Sequence, residues 1–94
     1  MDNQDLNEIN KLCAEYIQKG HQYKAMGESK IYKEMFGIQN PKEFTIRLIL
    51  GAFLQTCHRY WKDKYGKEMD QEDANFVLGL FNESAPSIMD SLFK

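Results

Sequence analysis

Long apolar runs, an excess of one charge, cysteine, proline and glycine-rich loops are all scarce in this 94-residue chain. Each scarcity removes a class of protein. The longest apolar stretch, 46–54, is broken by Arg47 and is far short of the roughly 20 residues a membrane-spanning helix needs. The formal net charge is −2, so no global field points to nucleic acid or a membrane surface. Two cysteines, Cys13 and Cys57, are too few for a disulfide framework and read as reduced, buried thiols of a cytoplasmic protein. The opening Met1-Asp2-Asn3-Gln4-Asp5 is acidic and polar, unlike a signal peptide.

Recognised site chemistry is equally thin. Cys13, His21, Cys57 and His58 are the only soft metal ligands, with no Cys-x-x-Cys or His-x-x-x-His spacing, so no metal site is expected. The acidic run 63–73 is not a calcium loop, because Tyr65 and the misplaced Gly66 break the ligand order. There is no phosphate-cradling glycine loop and no nucleophile elbow. Cys57 and His58 are adjacent and point about 100° apart on a helix, so they do not form a nucleophile–base pair. The expectation is a chain with no enzymatic activity, no catalytic residues and no cofactor.

What is present is a core. The chain is 43% hydrophobic and 13% aromatic, too apolar for disorder and long enough for one domain, 1–94. No Asn-Gly turn and no sustained alternation argue for strands. Leu6, Ile9, Cys13, Tyr16, Gly20 and Tyr23 recur every three or four residues, which is one helical face. Gly20 and Gly27 fall on that stripe. Residues 4–36 therefore read as one helix or two: the glycines either break the helix, with a break near Gly27-Glu28-Ser29 preferred, or admit a neighbouring helix closely. A short helix from about Ser29 to Phe36 follows, closed by Gly37 with Ile38 over its last turn.

The clearest boundary is Asn40-Pro41-Lys42-Glu43: a cap, a proline suited to the first helical position and a glutamate able to reach back. The helix it starts should run to about Tyr65 and stop at Gly66. Phe44, Ile46, Leu48, Ile49, Leu50, Ala52, Phe53 and Leu54 make it apolar nearly all round, which predicts a helix surrounded by others or shared with a second subunit. Asp70 should cap the next helix, with Ala74, Val77, Leu78 and Phe81 inward. Ser84 then caps a last short helix through Pro86, or the two are one helix kinked at Pro86. The fold expected is all-α, a compact bundle of four to five helices around a central buried helix, about 41–65.

Three stretches carry more than packing signals. Within 55–67, His58, Arg59, Lys62, Lys64 and Lys67 are interleaved with Tyr60, Trp61 and Tyr65, a pattern able to hold phosphates and stack bases. The same residues also suit a plain role: cations at a helix C-terminus meet the macrodipole favourably, and the aromatics extend the apolar face. Residues 41–67 carry six basic and two acidic side chains, whereas 68–94 carry one basic and six acidic. The two blocks would neutralise each other in a hairpin, or otherwise give a dipole suited to head-to-tail association.

The stretch Leu80-Phe81-Asn82-Glu83-Ser84-Ala85-Pro86-Ser87-Ile88 resembles the turn of a helix-turn-helix, with Asn82 in the left-handed position. The helix that follows would offer only Lys94 as a cation, too little for phosphate and guanine contacts. Gly20-His21-Gln22-Tyr23-Lys24-Ala25-Met26-Gly27-Glu28 resembles the first helix and turn of a tetratricopeptide repeat, with Phe36 as its aromatic. Bulky Tyr32 occupies the position of a small alanine and no second repeat follows, so the resemblance implies a local helical hairpin only.

These observations lead to a small non-enzymatic regulatory or adaptor protein acting by protein–protein contact, as a homodimer in the cytoplasm, without membrane contact. His58, Arg59, Tyr60, Trp61, Lys62, Lys64 and Tyr65 are its candidate partner-binding residues. Nucleic-acid binding through 55–67 is the alternative, and a thiol or metal role for Cys57 a distant third.

Overall fold

A computed structural model of the chain describes residues 1–93, with the side chain of Ile17 set aside. It is all-α, as expected, with five helices among the described residues: α1 (Asn3–Gln18), α2 (Gly20–Glu28), α3 (Lys30–Phe36), α4 (Pro41–Tyr65) and α5 (Gln71–Leu92). The α1–α2 arm, α4 and α5 pack against one another, and α3 projects from the end of α2. Lys94 lies outside the described residues.

Local chemistry sets most boundaries. Asp2 Oδ1 accepts the Asp5 N–H at 2.8 Å and opens α1. Asn40 Oδ1 accepts the Glu43 N–H at 3.1 Å with Pro41 in the first turn, and Asp70 Oδ1 accepts the Asp73 N–H at 2.8 Å. Each cap satisfies a backbone donor that the helix itself leaves unpaired. Gly37 and Gly66 end α3 and α4 in the left-handed conformation, at φ 63° and 70°, where a side chain would be strained. The Ile38 N–H returns to the Lys33 carbonyl at 3.1 Å, closing α3 as a Schellman turn.

Three expectations need correction. Residues 4–36 form three helices: the break expected near Gly27-Glu28-Ser29 falls at Ser29, and a second one falls at Lys19. Both breaks are one residue wide, but Lys19 keeps right-handed dihedrals (φ −80°, ψ −5°) whereas Ser29 is extended (ψ 130°). Gly27 lies inside α2, and its role is space. A Cβ there would stand 2.6 Å from Thr45 Oγ1 and 3.2 Å from the Pro41 carbonyl oxygen. A Cβ on Gly20 would stand 3.0 Å from Leu92 Cδ1. Both glycines let neighbouring helices close in.

The second correction concerns the turn expected near Asn82. Of the two alternatives for the C-terminal part, the single helix holds: α5 runs unbroken through Ser84 and Pro86, so no turn of a helix-turn-helix forms and Asn82 is helical. Ser84 Oγ bonds back to the Leu80 carbonyl at 3.3 Å instead of capping.

The third is the covering of α4. Thr45, Ile49, Phe53, Cys57 and Trp61 form a buried stripe, but Arg47, Gly51, Gln55, His58 and Lys62 leave the opposite side open. The helix is central without being enclosed.

The core joins Ile9, Leu12 and Cys13 of α1, Ile49, Phe53, Cys57 and Trp61 of α4, Met69 of the connecting loop, and Val77, Phe81, Ile88 and Leu92 of α5. Phe53 stacks on Phe81 at 5.4 Å between centroids and meets the edge of Tyr16 at 6.2 Å. Among the described residues no helix is long and apolar enough to cross a membrane.

Candidate functional site

The basic-aromatic end of α4 is organised by a residue at the other end of the chain. Asp5, in the first turn of α1, is fully buried. Its Oδ1 accepts from Lys64 Nζ at 2.6 Å and from Tyr60 OH at 2.8 Å, and its Oδ2 accepts from Tyr65 OH. Lys64 Nζ also lies 3.7 Å from Asp2 Oδ2 and 5.2 Å from the centroid of the Tyr65 ring. The α4 register brings this about: residues 60 and 64 are one turn apart, so both reach the same side of the helix.

The charges are fixed. Burial alone would raise the Asp5 carboxyl, but hydrogen bonds from Lys64, Tyr65 and Tyr60 and the lysine's charge outweigh it and hold the group at about 2. Its place at the N-terminus of α1 favours the anion as well. The bond to Asp5 pushes the Lys64 ammonium above its ordinary range. Burial, then the bond to Asp5, raises Tyr60, whereas at Tyr65 the bond to Asp5 leads. At neutral pH the cluster is therefore a carboxylate, an ammonium and two phenols, each proton spoken for. Such a carboxylate is a poor base, and the phenols are poor acids. The arrangement is a clasp holding the start of α1 to the end of α4.

The candidate residues thus separate. Tyr60, Lys64 and Tyr65 are engaged by Asp5, and Trp61 is buried, its ring 4.7 Å from that of Tyr65. His58, Arg59 and Lys62 are exposed. Among the described residues no ion pair joins α4 to α5; the basic end of α4 pairs with α1.

Sequence reasoning missed two features. Asp5 looked like an ordinary first-turn acid, and only its distant partners distinguish it. The other feature is α3. None of its residues is buried, and Ile31, Met35 and Phe36 are 69%, 65% and 59% exposed. Tyr32, Phe36 and Phe44 stack in succession, at 5.9 and 6.2 Å between centroids. Beside them a shallow cleft of about 310 Å³ is lined by Phe36, Ile38, Asn40, Phe44 and Arg47, among others. The signal was Ile31, Tyr32, Met35 and Phe36 within seven residues, more apolar surface than one short helix buries against a single neighbour.

Cys13 and Cys57 are free and buried. Burial, with a smaller contribution from nearby Cys13, pushes the Cys57 thiol up to about 12, and burial raises Cys13. Neither is an activated nucleophile. Among the described residues no three His, Cys, Asp or Glu side chains converge on a point where a metal ion would sit. No family model, no curated protein and no solved structure matches the chain.

Proposed function

We propose that this chain is a small non-enzymatic regulatory or adaptor protein that works by protein–protein contact, as a homodimer. The observation that carries this is α3, a helix whose large apolar side chains Ile31, Met35 and Phe36 face solvent together. Scattered apolar residues are ordinary on a protein surface, but a contiguous group on one projecting element marks a contact surface. The two unbridged, buried cysteines support a reducing compartment, the cytoplasm.

Affinity capture from the native cell tests the proposal, comparing the wild type with an Ile31→Ser/Phe36→Ser variant. The expected result is a protein retained by the wild type and lost with the variant, whose helical content and melting temperature stay close to the wild type. The same proteins retained by both would rule out α3 as the contact surface. Trp61→Ala is unsuitable as a probe, since Trp61 is part of the core.

Binding of nucleic acid by His58, Arg59 and Lys62, with residues 60–65 beside them, is the alternative. It predicts affinity that falls steeply with salt and weakens on Arg59→Ala or Lys62→Ala. The exposure of those three side chains supports it. The engagement of Tyr60, Lys64 and Tyr65 by Asp5 and the burial of Trp61 count against it, because they withdraw Trp61 from stacking and Lys64 from phosphates, leaving the 40%-exposed Tyr65 ring as the main stacking surface.

A further inference from the structure

The chain exposes more surface than its mass requires. Its accessible area is 6333 Å², whereas a compact monomer of 11.0 kDa exposes about 5,600 Å². Its radius of gyration is 14.4 Å, against roughly 12.4 Å for a compact domain of this length. The excess of about 700 Å² is close to the roughly 800 Å² that one partner brings to a standard interface.

Part of that excess is α3, and its charge narrows what covers it. Lys30 and Lys33 flank the apolar residues with Glu34 the only acid on the helix, and among the described residues neither lysine is in an ion pair. Two copies of α3 set against each other would bring these lysines together. The complementary surface is on α5. Glu72, Phe76 and Glu83 are exposed at spacings of four and seven, which is one helical side. Phe76 is 48% exposed, and α5 contains no lysine or arginine. A seven-residue helix is only about 10 Å long, too short to supply a stable interface from one contact. A two-fold arrangement makes each contact twice and uses both surfaces of both copies.

We propose that the occupant of the α3 surface is a second copy of this chain, in a two-fold dimer. Ile31, Met35 and Phe36 of each protomer pack around the partner's Phe76, and Lys30 and Lys33 face the partner's Glu72 and Glu83. This deepens the protein-contact function by naming the partner and both faces.

Sedimentation equilibrium of the full chain from 1 to about 100 µM, with Lys33→Glu, Glu83→Lys, their double variant and Phe76→Ser, tests it. All three positions are tolerant of change, being exposed, and circular dichroism checks that each variant is folded. The wild type is expected to be a dimer that weakens in high salt. Each single charge reversal and Phe76→Ser should weaken it by about tenfold, and the double reversal should restore it to within about threefold of the wild type. A wild-type monomer throughout overturns the dimer, and so do assemblies larger than two. Strengthening by Lys33→Glu with Glu83→Lys silent would show α3 on α3 instead, and a double variant weaker than either single would remove the assigned pairing. If the chain is monomeric but another protein is captured in an α3-dependent way, the dimer fails while the protein-contact function stands.

Discussion

Lys64 Nζ lies 2.6 Å from Asp5 Oδ1, a contact between residues 59 positions apart. It ties the first turn of α1 to the last turn of α4 and, with Tyr60 and Tyr65, engages part of the basic-aromatic stretch in the scaffold.

Asp5→Asn should lower stability at pH 7 by about 1–2 kcal/mol in urea denaturation. Charged hydrogen bonds contribute about 1.5–3 kcal/mol, discounted here because the Lys64 ammonium can turn to water. The wild type should also show an acid limb that the variant lacks. The folded Asp5 carboxyl titrates at about 2, below its ordinary 3.8. Between about pH 4 and pH 2 the unfolded chain therefore binds more protons, so stability falls as the pH falls through that window and is fully present above it. Equal acid limbs in both proteins would contradict the clasp.

Gly27→Ala should destabilise by about 1–3 kcal/mol, because the added methyl meets Thr45 Oγ1 at 2.6 Å and the rigid Pro41 carbonyl. Thr45→Ala combined with it should recover part of the loss in a double-mutant cycle. Gly51→Ala is the control: nothing lies within 4 Å of its Cβ position, and replacing a helical glycine there should stabilise by about 0.5–1 kcal/mol. Thermal melts of the four variants, Thr45→Ala alone included, check both signs.

Trp61→Ala should cost about 3–5 kcal/mol, the range for emptying a large aromatic site in a core. Arg59→Ala and Lys62→Ala, two positions and one position away, should change stability by less than about 0.5 kcal/mol. Chemical denaturation separates the two groups, and a small effect of Trp61→Ala would return that ring to the list of surface residues.

Both thiols should resist a thiol-specific reagent at neutral pH. Cys57 is buried and its thiol is pushed up to about 12, so the reactive thiolate is scarce and shielded. Modification in buffer should be on the order of a hundredfold slower than in denaturant, limited by opening of the fold. Fast labelling of Cys57 in the native protein would show that the α1–α4 seam opens readily.

Local signals were legible because their chemistry is local. Asn40 at the start of α4, Gly66 at its end and Asp70 before α5 act on backbone groups three or four residues away, and Pro41 fits the first turn, so their types alone declare those roles; the Glu43 carboxylate accepts from Arg47 instead of reaching back to the cap. Pro86 left two alternatives open for the same reason. A proline is locally a helix breaker, yet α5 continues through it, since Phe81, Ile88 and Leu92 on either side bury into one core.

The sequence by itself determined that the chain is helical, where α3 and α4 begin and end, where α5 begins, and which side of α1 and of α5 is apolar, because those follow from backbone capping and the 3.6-residue period. Only the tertiary structure decided that Gly27 is a contact with Thr45, that Asp5 gathers Tyr60, Lys64 and Tyr65, and that α3 is left uncovered. Each of these depends on which helices meet and at what distance. A glycine, an aspartate or an exposed isoleucine carries no mark of its partner until the fold brings that partner within reach.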